Sequence, residues 1–454
     1  MNFDFFNYGL NYLNVATASW MSCDQILALQ KYRLKKIVNY ATENSLFYKK
    51  IYKNLDLSSI NLSEFPIVKK HELMDQFDSW VCDPEINIVD LKKFIADTSN
   101  IGKLFLNRYL VWESSGSTGD PAIFLQDDKA VEVYDSLESF RKSFSEKMLH
   151  IIDPFWINER IAFIGSVGHF ASNISFERLM KIHPLGDISL RRISITKPLD
   201  EIVKELQDFS PTIIATYPTA AFLLAELAPK SIELRELWTG GEKLTKNMRA
   251  RIEKVFNTKI RNSYGASEFL PIAWECEFER LHINSDWVIL EAVDENYQEV
   301  KNGNFSHTSL LTNLANFTQP LIRYELGDSI CFHEQRCRCG SSFPSLDILG
   351  RVDDIVRLKN DQGKLIGILP LAITTVLEEN AQTFHFQLIQ KSHMHLVLSL
   401  PIQSKVSSRE GGRCLEVLRH FLECQGINKV KIEVKYSSQS ILGKTGKLKR
   451  IMIE

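Results

Sequence analysis

Long apolar runs and an excess of charge of either sign are both missing from this sequence of 454 residues. No apolar stretch approaches the roughly 20 residues that a membrane-spanning helix needs. Lys and Arg total 54 against 56 Asp and Glu. This balance argues against a general nucleic-acid binder, which would carry a clustered basic surface. We therefore expect neither a membrane span nor a nucleic-acid partner.

Cysteine is also scarce, with 8 residues in the whole chain. A disulfide-rich secreted scaffold concentrates its cysteines in a short chain, so that class is excluded. The first basic residue is Lys31 and the first arginine is Arg33, whereas a secretory signal begins with basic residues and a transit peptide is rich in arginine. The expected location is therefore the cytoplasm.

The residues that are present are those of an ordinary globular protein, with 44% hydrophobic and 24% charged side chains. The length allows about three domains, or one large and one small domain. Short apolar runs at 160–165 and 212–216 predict buried strands, and the spacing over 199–209 predicts a helix. Strands that alternate with helices predict an α/β fold with largely parallel sheets.

The pattern changes along the second half of the chain. Runs at 287–293 and 309–312 predict strands of a β-rich subdomain. Beyond 350, four strand patterns and two helix patterns fit a small α+β domain of about 100 residues. The turn-rich segment from Gly350 to Asp354 separates the two parts. We predict domains at 1–350 and 351–454.

The densest cluster of turn residues runs from Ser114 to Pro121, between two short strand patterns. Its glycines permit tight turns, and its backbone N–H groups and hydroxyls could cradle phosphates. It is not a Walker A loop, because no Gly-Lys-Ser/Thr follows. A plain surface turn between two strands is the alternative, since the same residue types dominate turns.

Further motifs follow this loop in a fixed order: Gly240-Gly241-Glu242, Tyr264-Gly265-Ala266-Ser267-Glu268, 320–328, 350–354 and Gly446-Lys447-Leu448-Lys449-Arg450. The ordered set resembles the adenylate-forming ligase superfamily, which includes acyl-CoA synthetases, peptide-synthetase adenylation domains and luciferases. The resemblance extends from about Leu34 to Arg450. The short length and the segment 43–48 resemble the phenylacetate–CoA ligase branch, which also includes synthetases that adenylylate a deazaflavin coenzyme.

This resemblance implies a large N-terminal adenylate-forming domain with parallel sheets and a β-rich subdomain, followed by a small mobile C-terminal α+β domain. It assigns roles to the loops of the large domain. The ATP phosphates would lie on Ser115, Gly116, Ser117, Thr118 and Gly119, and adenine and ribose on Gly241, Glu242, Asn262, Ser263, Tyr264, Asp328 and Arg351. Glu268 would bind Mg²⁺, a cation that prefers carboxylate and phosphate oxygens. Read singly, Asp328 and Glu268 could instead be loop caps, and Arg351 a surface ion pair.

Lys447 is the catalytic lysine that the resemblance implies. A carboxylate is a weak nucleophile, and its attack on the α-phosphorus of ATP moves negative charge onto the departing pyrophosphate. An ammonium that contacts both reactants positions them and stabilises this charge. Asp353 matches the family's hinge, about which the small domain rotates between an adenylating and a transfer pose. A solvated basic tail is the alternative interpretation of this lysine-rich segment.

Three cysteines and one histidine have the spacing of a structural zinc site: Cys276, His282, Cys337 and Cys339. Some members of the phenylacetate–CoA ligase branch carry such a set between the same two motifs, which favours zinc. The Cys-x-Cys spacing is less specific than Cys-x-x-Cys, and His282 could instead be packed in the core. Such a site would stabilise the β-rich subdomain.

The acid pocket is expected at loops that follow buried strands, where ligands of α/β sheets usually bind. His169, Phe170 and Tyr217 lie on such loops and would suit an aryl or other small acid, although each could simply pack in the core. We expect ATP, Mg²⁺, a carboxylic acid and coenzyme A as ligands. Transfer to an amine or a carrier-protein thiol, a degenerate adenylate-binding protein, and a homodimeric assembly are left open.

Overall fold

The computed structural model describes residues 5–57, 61–114, 121–141, 157–227, 232–349, 355–401, 407–437 and 450–454. Within these ranges the chain is a mixed α/β protein, as the alternation of strand and helix patterns predicts. Each described helix is too short or too polar to cross a lipid bilayer.

Among the described residues, seven α-helices precede or flank the first two strands, and several pack into one aromatic-rich core. They are α1 (Phe5–Ala18), α2 (Cys23–Asn44), α3 (Leu46–Ile51), α4 (Lys70–Asp75), α5 (Phe77–Trp80), α6 (Ile88–Ala96) and α7 (Asp128–Arg141). Helix α2 begins with a capping box, in which Ser22 and Gln25 satisfy each other's backbone N–H groups. Strands β1 (Leu110–Glu113) and β2 (Ile123–Gln126) pair antiparallel, which confirms the two predicted strands. The predicted loop between them includes residues 115–120, which lie outside the described residues.

A nine-stranded sheet forms the centre of the protein, in the order β13-β14-β9-β8-β7-β6-β5-β3-β4. Its parallel half consists of β3 (Ile161–Gly165), β4 (Leu190–Ser194), β5 (Ile213–Thr216), β6 (Glu236–Thr239) and β7 (Lys259–Ala266). All five residues of β3 are buried, as expected for a parallel strand covered on both faces.

Helices connect the strands of this parallel half, and they are α8 (Ala171–Ile182), α9 (Gly186–Ser189), α10 (Leu199–Phe209), α11 (Pro218–Leu227) and α12 (Lys246–Phe256). Helix α10 has the predicted bounds. Leu199, Ile202, Leu206 and Phe209 are its buried residues, and their spacing of three or four places them on one face.

Antiparallel strands continue the central sheet and also form a second sheet. The central sheet is extended by β8 (Phe269–Glu275), β9 (Leu281–Ile283), β13 (Ile330–Phe332) and β14 (Ser345–Ile348). The second sheet consists of β10 (Val288–Val293), β11 (Thr308–Asn313) and β12 (Tyr324–Glu325). The predicted β-rich part is therefore present, and four of these seven strands belong to the central sheet.

The residues after 355 form two further sheets and two helices. One sheet pairs β15 (Val356–Lys359) with β16 (Leu365–Ile368), and the other has the order β19-β18-β17-β20. Its strands are β17 (Gln387–Ser392), β18 (His395–Pro401), β19 (Lys431–Ser437) and β20 (Ile451–Ile453), and the helices are α13 (Pro370–Glu379) and α14 (Ser407–Cys424). This is the predicted α+β layout.

One hydrophobic core includes residues from both sides of the predicted domain boundary. Ile164 and Leu223 of the parallel half belong to the same cluster of buried side chains as Ile373 and Leu377 of α13. A hydrogen bond of 3.2 Å between the hydroxyls of Ser166 and Thr375 joins the two parts as well. The division into 1–350 and 351–454 stays a prediction.

Candidate adenylate site

One large cavity of about 2350 Å³ collects the predicted ATP-site and acid-pocket residues that the structure describes. It lies at the carboxyl ends of the parallel strands, where open α/β sheets bind their ligands. Its volume exceeds that of a pocket for one small molecule, about 300–1,000 Å³. The predicted residues in its wall are Glu268, Gly241, Glu242, Asn262, Ser263, Tyr264, Asp328, His169, Phe170 and Tyr217.

Glu268 lies in the tight turn between β7 and β8, and its neighbours hold the turn in place. Trp112 Nε1 donates to the carbonyl of Ser267 at 2.8 Å, and Asn313 Nδ2 donates to the carbonyl of Glu268 at 3.0 Å. The side chain is only 8% exposed, and burial raises the pKa of Glu268 to about 7. A cation in this cavity would be an effective counter-charge for the buried carboxylate.

Tyr264 and Asp328 are brought together from distant motifs. The Tyr264 hydroxyl donates to Asp328 Oδ2 at 2.8 Å. Burial first, and then the charge of Asp328, raises the pKa of Tyr264 well above its ordinary value, so the phenol stays protonated as a donor. A carboxylate oxygen accepts more than one hydrogen bond, so Asp328 can still accept from a diol.

Gly241 is required by the close approach of an aromatic ring. Its φ of +78° lies in the left-handed region, and a Cβ placed there would meet Tyr217 Cε1 at 3.0 Å. The next residue, Glu242, accepts from the backbone N–H of Thr219 at 3.0 Å and from its hydroxyl at 2.7 Å. Glu242 therefore caps the start of α11 while it lines the cavity.

Asn262 and Ser263 on β7 are fixed to the neighbouring strand β6. Asn262 Oδ1 accepts from the Thr239 hydroxyl at 3.0 Å, and Ser263 Oγ donates to the Thr239 carbonyl at 3.2 Å. Both side chains are half-buried and line the cavity beside the β6 terminus. They belong to the part of the cavity wall against which adenine is predicted to lie.

The three residues of the predicted acid pocket line the same cavity. His169 is buried, and burial lowers its pKa, so the imidazole is neutral at pH 7. Its ring lies 6.2 Å from the ring of Phe94. The Tyr217 hydroxyl lies 3.4 Å from Ser172 Oγ. The wall therefore combines flat rings with hydroxyl groups.

Some predicted residues lie outside the described part of the chain, and their roles stay predictions. They are Ser115, Gly116, Ser117, Thr118, Gly119, Arg351, Asp353 and Lys447.

Four charged residues that sequence reasoning did not single out as a group also line the cavity: Glu113, Glu378, Glu379 and Arg450. Burial and the charge of Glu378 raise the pKa of Glu113 to about 7. Burial first, then Glu378 and Glu113, raises the pKa of Glu379 to about 8. Glu378 forms an ion pair with Arg450. The sequence signal was weak, because Glu113 and the Glu378-Glu379 pair simply end apolar segments.

The four predicted zinc ligands come together at the far end of the central sheet. One ligand atom from each of Cys276, His282, Cys337 and Cys339 lies within 4.8 Å of the others. The thiols of Cys276 and Cys337 are 3.5 Å apart, and Cys339 Sγ lies 3.3 Å from His282 Nε2. His282 Nδ1 lies 2.9 Å from the Phe343 carbonyl, which can only accept, so Nε2 carries the lone pair. Three thiols and one imidazole are a donor set that fits tetrahedral zinc.

Comparison with known proteins gives distant relatives over most of the chain, while no protein-family profile matches it. The chain is 24% identical over 394 residues to phenylacetate-coenzyme A ligase of Thermus thermophilus. The matched region covers 81% of this chain and 78% of that protein. It is 25% identical over 328 residues to Protein CapK of Staphylococcus aureus, covering 68% of this chain and 63% of CapK.

A solved structure shares the fold over nearly the full length. It is that of 2-hydroxyisobutyryl-CoA ligase in complex with 2-HIB-AMP and CoA in the thioesterification state. The TM-score is 0.60 at 19% identity, and the match covers 96% of this chain and 91% of that chain.

Proposed function

We propose that this chain, which belongs to the adenylate-forming superfamily on its phenylacetate–CoA ligase-like branch, activates a small carboxylic acid with ATP and transfers the acyl group to coenzyme A. One observation carries the proposal. Glu268 and the hydrogen-bonded pair of Tyr264 and Asp328 line a single cavity at the carboxyl ends of the parallel strands. That cavity has room for a nucleotide and an acid together.

The proposed reaction has two steps. First, a carboxylate oxygen of the acid attacks the α-phosphorus of ATP, and the bond to the bridging oxygen of the pyrophosphate breaks. The products are an acyl adenylate and pyrophosphate. Second, the sulfur of coenzyme A attacks the acyl carbonyl after losing its proton, and AMP leaves. Asp328 accepts from the ribose hydroxyls, and the wall around Asn262, Ser263 and Gly241 holds adenine.

Mg²⁺ fits the donor that the cavity offers. This ion is commonly held by one or two carboxylates together with phosphate oxygens, and Glu268 is a buried carboxylate in the cavity wall. We assign Glu268 as its protein ligand. When bound, Mg²⁺ neutralises negative charge on the phosphates.

Lys447 is the proposed catalytic lysine, placed on a C-terminal domain of residues 351–454 that turns about Asp353. Lys447→Ala should abolish adenylate formation, because the charge that stabilises the departing pyrophosphate is lost. It should spare thioester formation from supplied acyl adenylate. Pyrophosphate exchange at the wild-type rate in this variant would contradict the assignment.

The experiment that tests the function is acid-dependent exchange of pyrophosphate into ATP, measured with a panel of aryl and short aliphatic acids. The rings of Phe170, Tyr217 and His169 favour a flat or small acid. Coenzyme A, amines and a carrier-protein thiol are then compared as acceptors by measuring the release of AMP. The proposal of an adenylating enzyme fails if no acid and no acceptor stimulates AMP release.

We also propose that Cys276, His282, Cys337 and Cys339 hold a structural zinc ion. Four protein ligands close the coordination sphere, so the ion would have no open position for a substrate. It would join the β8–β9 connection to the segment between β13 and β14, which carries Cys337 and Cys339.

A further inference from the structure

Two motifs in the cavity wall have the same spacing between a tyrosine and an acidic residue. Glu268 follows Tyr264 by four positions, and Asp328 follows Tyr324 by four positions. The first motif spans the turn between β7 and β8, and the second begins in β12. All four side chains line the cavity. The two motifs therefore meet at one place, although they come from different sheets.

Each tyrosine bonds to the acidic residue of the other motif. The Tyr264 hydroxyl donates to Asp328 Oδ2 at 2.8 Å, and the Tyr324 hydroxyl donates to the carboxylate of Glu268. Burial first, and then the charge of Glu268, raises the pKa of Tyr324 well above its ordinary value, so this phenol remains a donor. We call these four side chains the crossed clamp.

The backbone and the ring of Tyr324 are both held in place. Tyr324 pairs with Leu311 of β11 and forms a parallel bridge with Val68. Two backbone hydrogen bonds of 3.1 and 3.0 Å join Val68 to the residues on either side of Tyr324. The tyrosine is only 3% exposed. Its hydroxyl is therefore a fixed point from which a hydrogen bond can orient another side chain.

The turn that carries Glu268 fixes its main chain and leaves its side chain to other contacts. Asn313 Nδ2 donates to the carbonyl of Glu268 at 3.0 Å, and Trp112 Nε1 donates to the carbonyl of Ser267 at 2.8 Å. Neither bond reaches the carboxylate, and a glutamate side chain has considerable rotamer freedom to lose. The hydrogen bond from Tyr324 acts on the carboxylate itself.

We propose that Tyr324 is a positioning residue for Glu268, and that its hydroxyl holds the carboxylate in the orientation in which it binds Mg²⁺. The inference rests on the proposed role of Glu268 in binding Mg²⁺ together with ATP. Groups that hydrogen-bond to a metal-binding carboxylate orient it, and their removal typically costs roughly tenfold to 100-fold in metal affinity. Tyr264 acts in the same way on Asp328, which is proposed to bind ribose.

The test measures the equilibrium binding of radiolabelled ATP to Tyr324→Phe and to the wild type. No acid is added, so no adenylate forms, and binding is measured once with Mg²⁺ and once with EDTA. In the wild type Mg²⁺ should tighten ATP binding, and in Tyr324→Phe this gain should fall by about tenfold. The dissociation constant for ATP in EDTA should stay as in the wild type, because the ribose and adenine contacts remain.

Tyr297→Phe is the matched control, because it removes the same kind of hydrogen bond from the next residue of β12. The Tyr297 hydroxyl donates to Glu325 Oε1 at 2.9 Å, and Tyr297 lies outside the described wall of the cavity. This variant should leave both dissociation constants unchanged. An unchanged Mg²⁺ gain in Tyr324→Phe, or an equal loss of ATP binding with Mg²⁺ and with EDTA, would overturn the proposal.

Tyr264→Phe is the contrasting variant within the crossed clamp. It removes the hydroxyl that bonds to Asp328, so it should weaken ATP binding by the same factor with Mg²⁺ and with EDTA. The two phenylalanine variants should therefore differ in their dependence on Mg²⁺, although each removes one hydroxyl group.

Pyrophosphate exchange gives a second measurement, made with the acid that supports the fastest exchange. The Mg²⁺ concentration for half of the maximal rate should rise about tenfold in Tyr324→Phe. At saturating Mg²⁺ the kcat should return to that of the wild type, because the ion is then bound despite its lower affinity. A kcat that stays low at every Mg²⁺ concentration would show a general structural defect and count against the proposal.

A readout without nucleotide separates this inference from the proposed function. Tyr324→Phe should lower the melting temperature of the wild type but not that of Glu268→Ala, in which the hydroxyl has already lost its acceptor. If Mg²⁺ does not change ATP binding by the wild type, the proposed role of Glu268 has failed, and the melting temperatures decide whether Tyr324 restrains Glu268. An equal fall in both backgrounds would reject the restraint.

Discussion

Individual side chains in the cavity show how burial sets their chemistry. Glu268 and Glu113 both have pKa values raised to about 7, and burial is the largest cause in each case. Tyr264 remains a protonated donor beside Asp328. The residue types were visible in the sequence, but their protonation depends on the surroundings that the fold provides.

Removal of one zinc ligand should test the metal site at this scale. The wild type should contain about one zinc ion per chain, and Cys337→Ser should lose it, because three remaining ligands bind more weakly. The free energy of unfolding should fall by about 3 kcal/mol if free zinc is about 100-fold above its dissociation constant. Metal analysis and thermal denaturation measure the two effects.

The control for this prediction is Cys424→Ser, which removes an exposed thiol outside the cluster. It should keep the zinc and the melting temperature of the wild type. Much less than one zinc ion per wild-type chain would reject the site.

The hairpin of β7 and β8 is the element that places both Tyr264 and Glu268. Its register shifts between Tyr264 and Ala266, and Gly265 lies within this irregularity. A Cβ on Gly265 would lie 1.8 Å from the carbonyl oxygen of Leu270, so any side chain must push the two strands apart. The motif Tyr-Gly-x-x-Glu thus has a steric reason for its glycine.

Gly265→Ala should therefore lower both stability and activity. We expect a loss of about 1–3 kcal/mol in the free energy of unfolding, as for overpacked sites, together with a lower rate of pyrophosphate exchange because Glu268 is displaced. Gly412→Ala is the contrasting variant, since a Cβ on Gly412 of α14 meets no atom within 4 Å.

Gly412→Ala should raise the free energy of unfolding by about 0.5–1 kcal/mol, because alanine loses less backbone entropy than glycine in a helix. Chemical denaturation of both variants measures the effects. A Gly265→Ala protein as stable and as active as the wild type would contradict the steric argument.

At the scale of the whole molecule, residues from the parts before and after 350 bring three carboxyl groups close together. Glu113 comes from β1, whereas Glu378 and Glu379 come from α13. Gly168 approaches the carboxyl group of Glu379 so closely that a Cβ would lie 1.9 Å from its Oε1. Arg450 compensates Glu378, and the raised pKa of Glu379 shows that its own charge is disfavoured.

This arrangement predicts a pH dependence of stability. The folded pKa of Glu379, about 8, lies above its ordinary value of 4.5, so the folded protein holds its proton more tightly than the unfolded chain. The contribution of Glu379 to the free energy of unfolding is therefore complete below about pH 4.5 and is lost as the pH rises towards 8. Glu379→Gln should therefore gain stability relative to the wild type between pH 5 and 8.5.

The expected gain in the free energy of unfolding is on the order of 1 kcal/mol. The melting temperatures of Glu379→Gln and of the wild type are measured across this pH range, and the difference between them should change with pH. Glu416→Gln, which removes an exposed carboxyl group on α14, should show a much smaller change. A difference in melting temperature between Glu379→Gln and the wild type that stays the same at every pH would contradict the prediction.

Local patterns were enough to predict about half of the described strands and helices. The bounds of α10 were predicted fully, because its apolar residues repeat every three or four positions between polar ones. Helix α1 was not predicted, and neither were β16 and β20, which are short strands that form only against partners distant in sequence. Strand pairing of this kind depends on contacts that no local pattern contains.

The sequence by itself determined the α/β class, the order of the motifs and the resemblance to an adenylate-forming ligase, because each depends on residues close together in the chain. It also supplied four zinc-type ligands without showing that they meet. Only the tertiary structure decided which side chains share the cavity, because Tyr264 and Asp328 lie 64 positions apart in the sequence and Glu378 and Arg450 lie 72 positions apart. It also decided the shifted pKa values, because burial is a property of the folded chain and not of any segment.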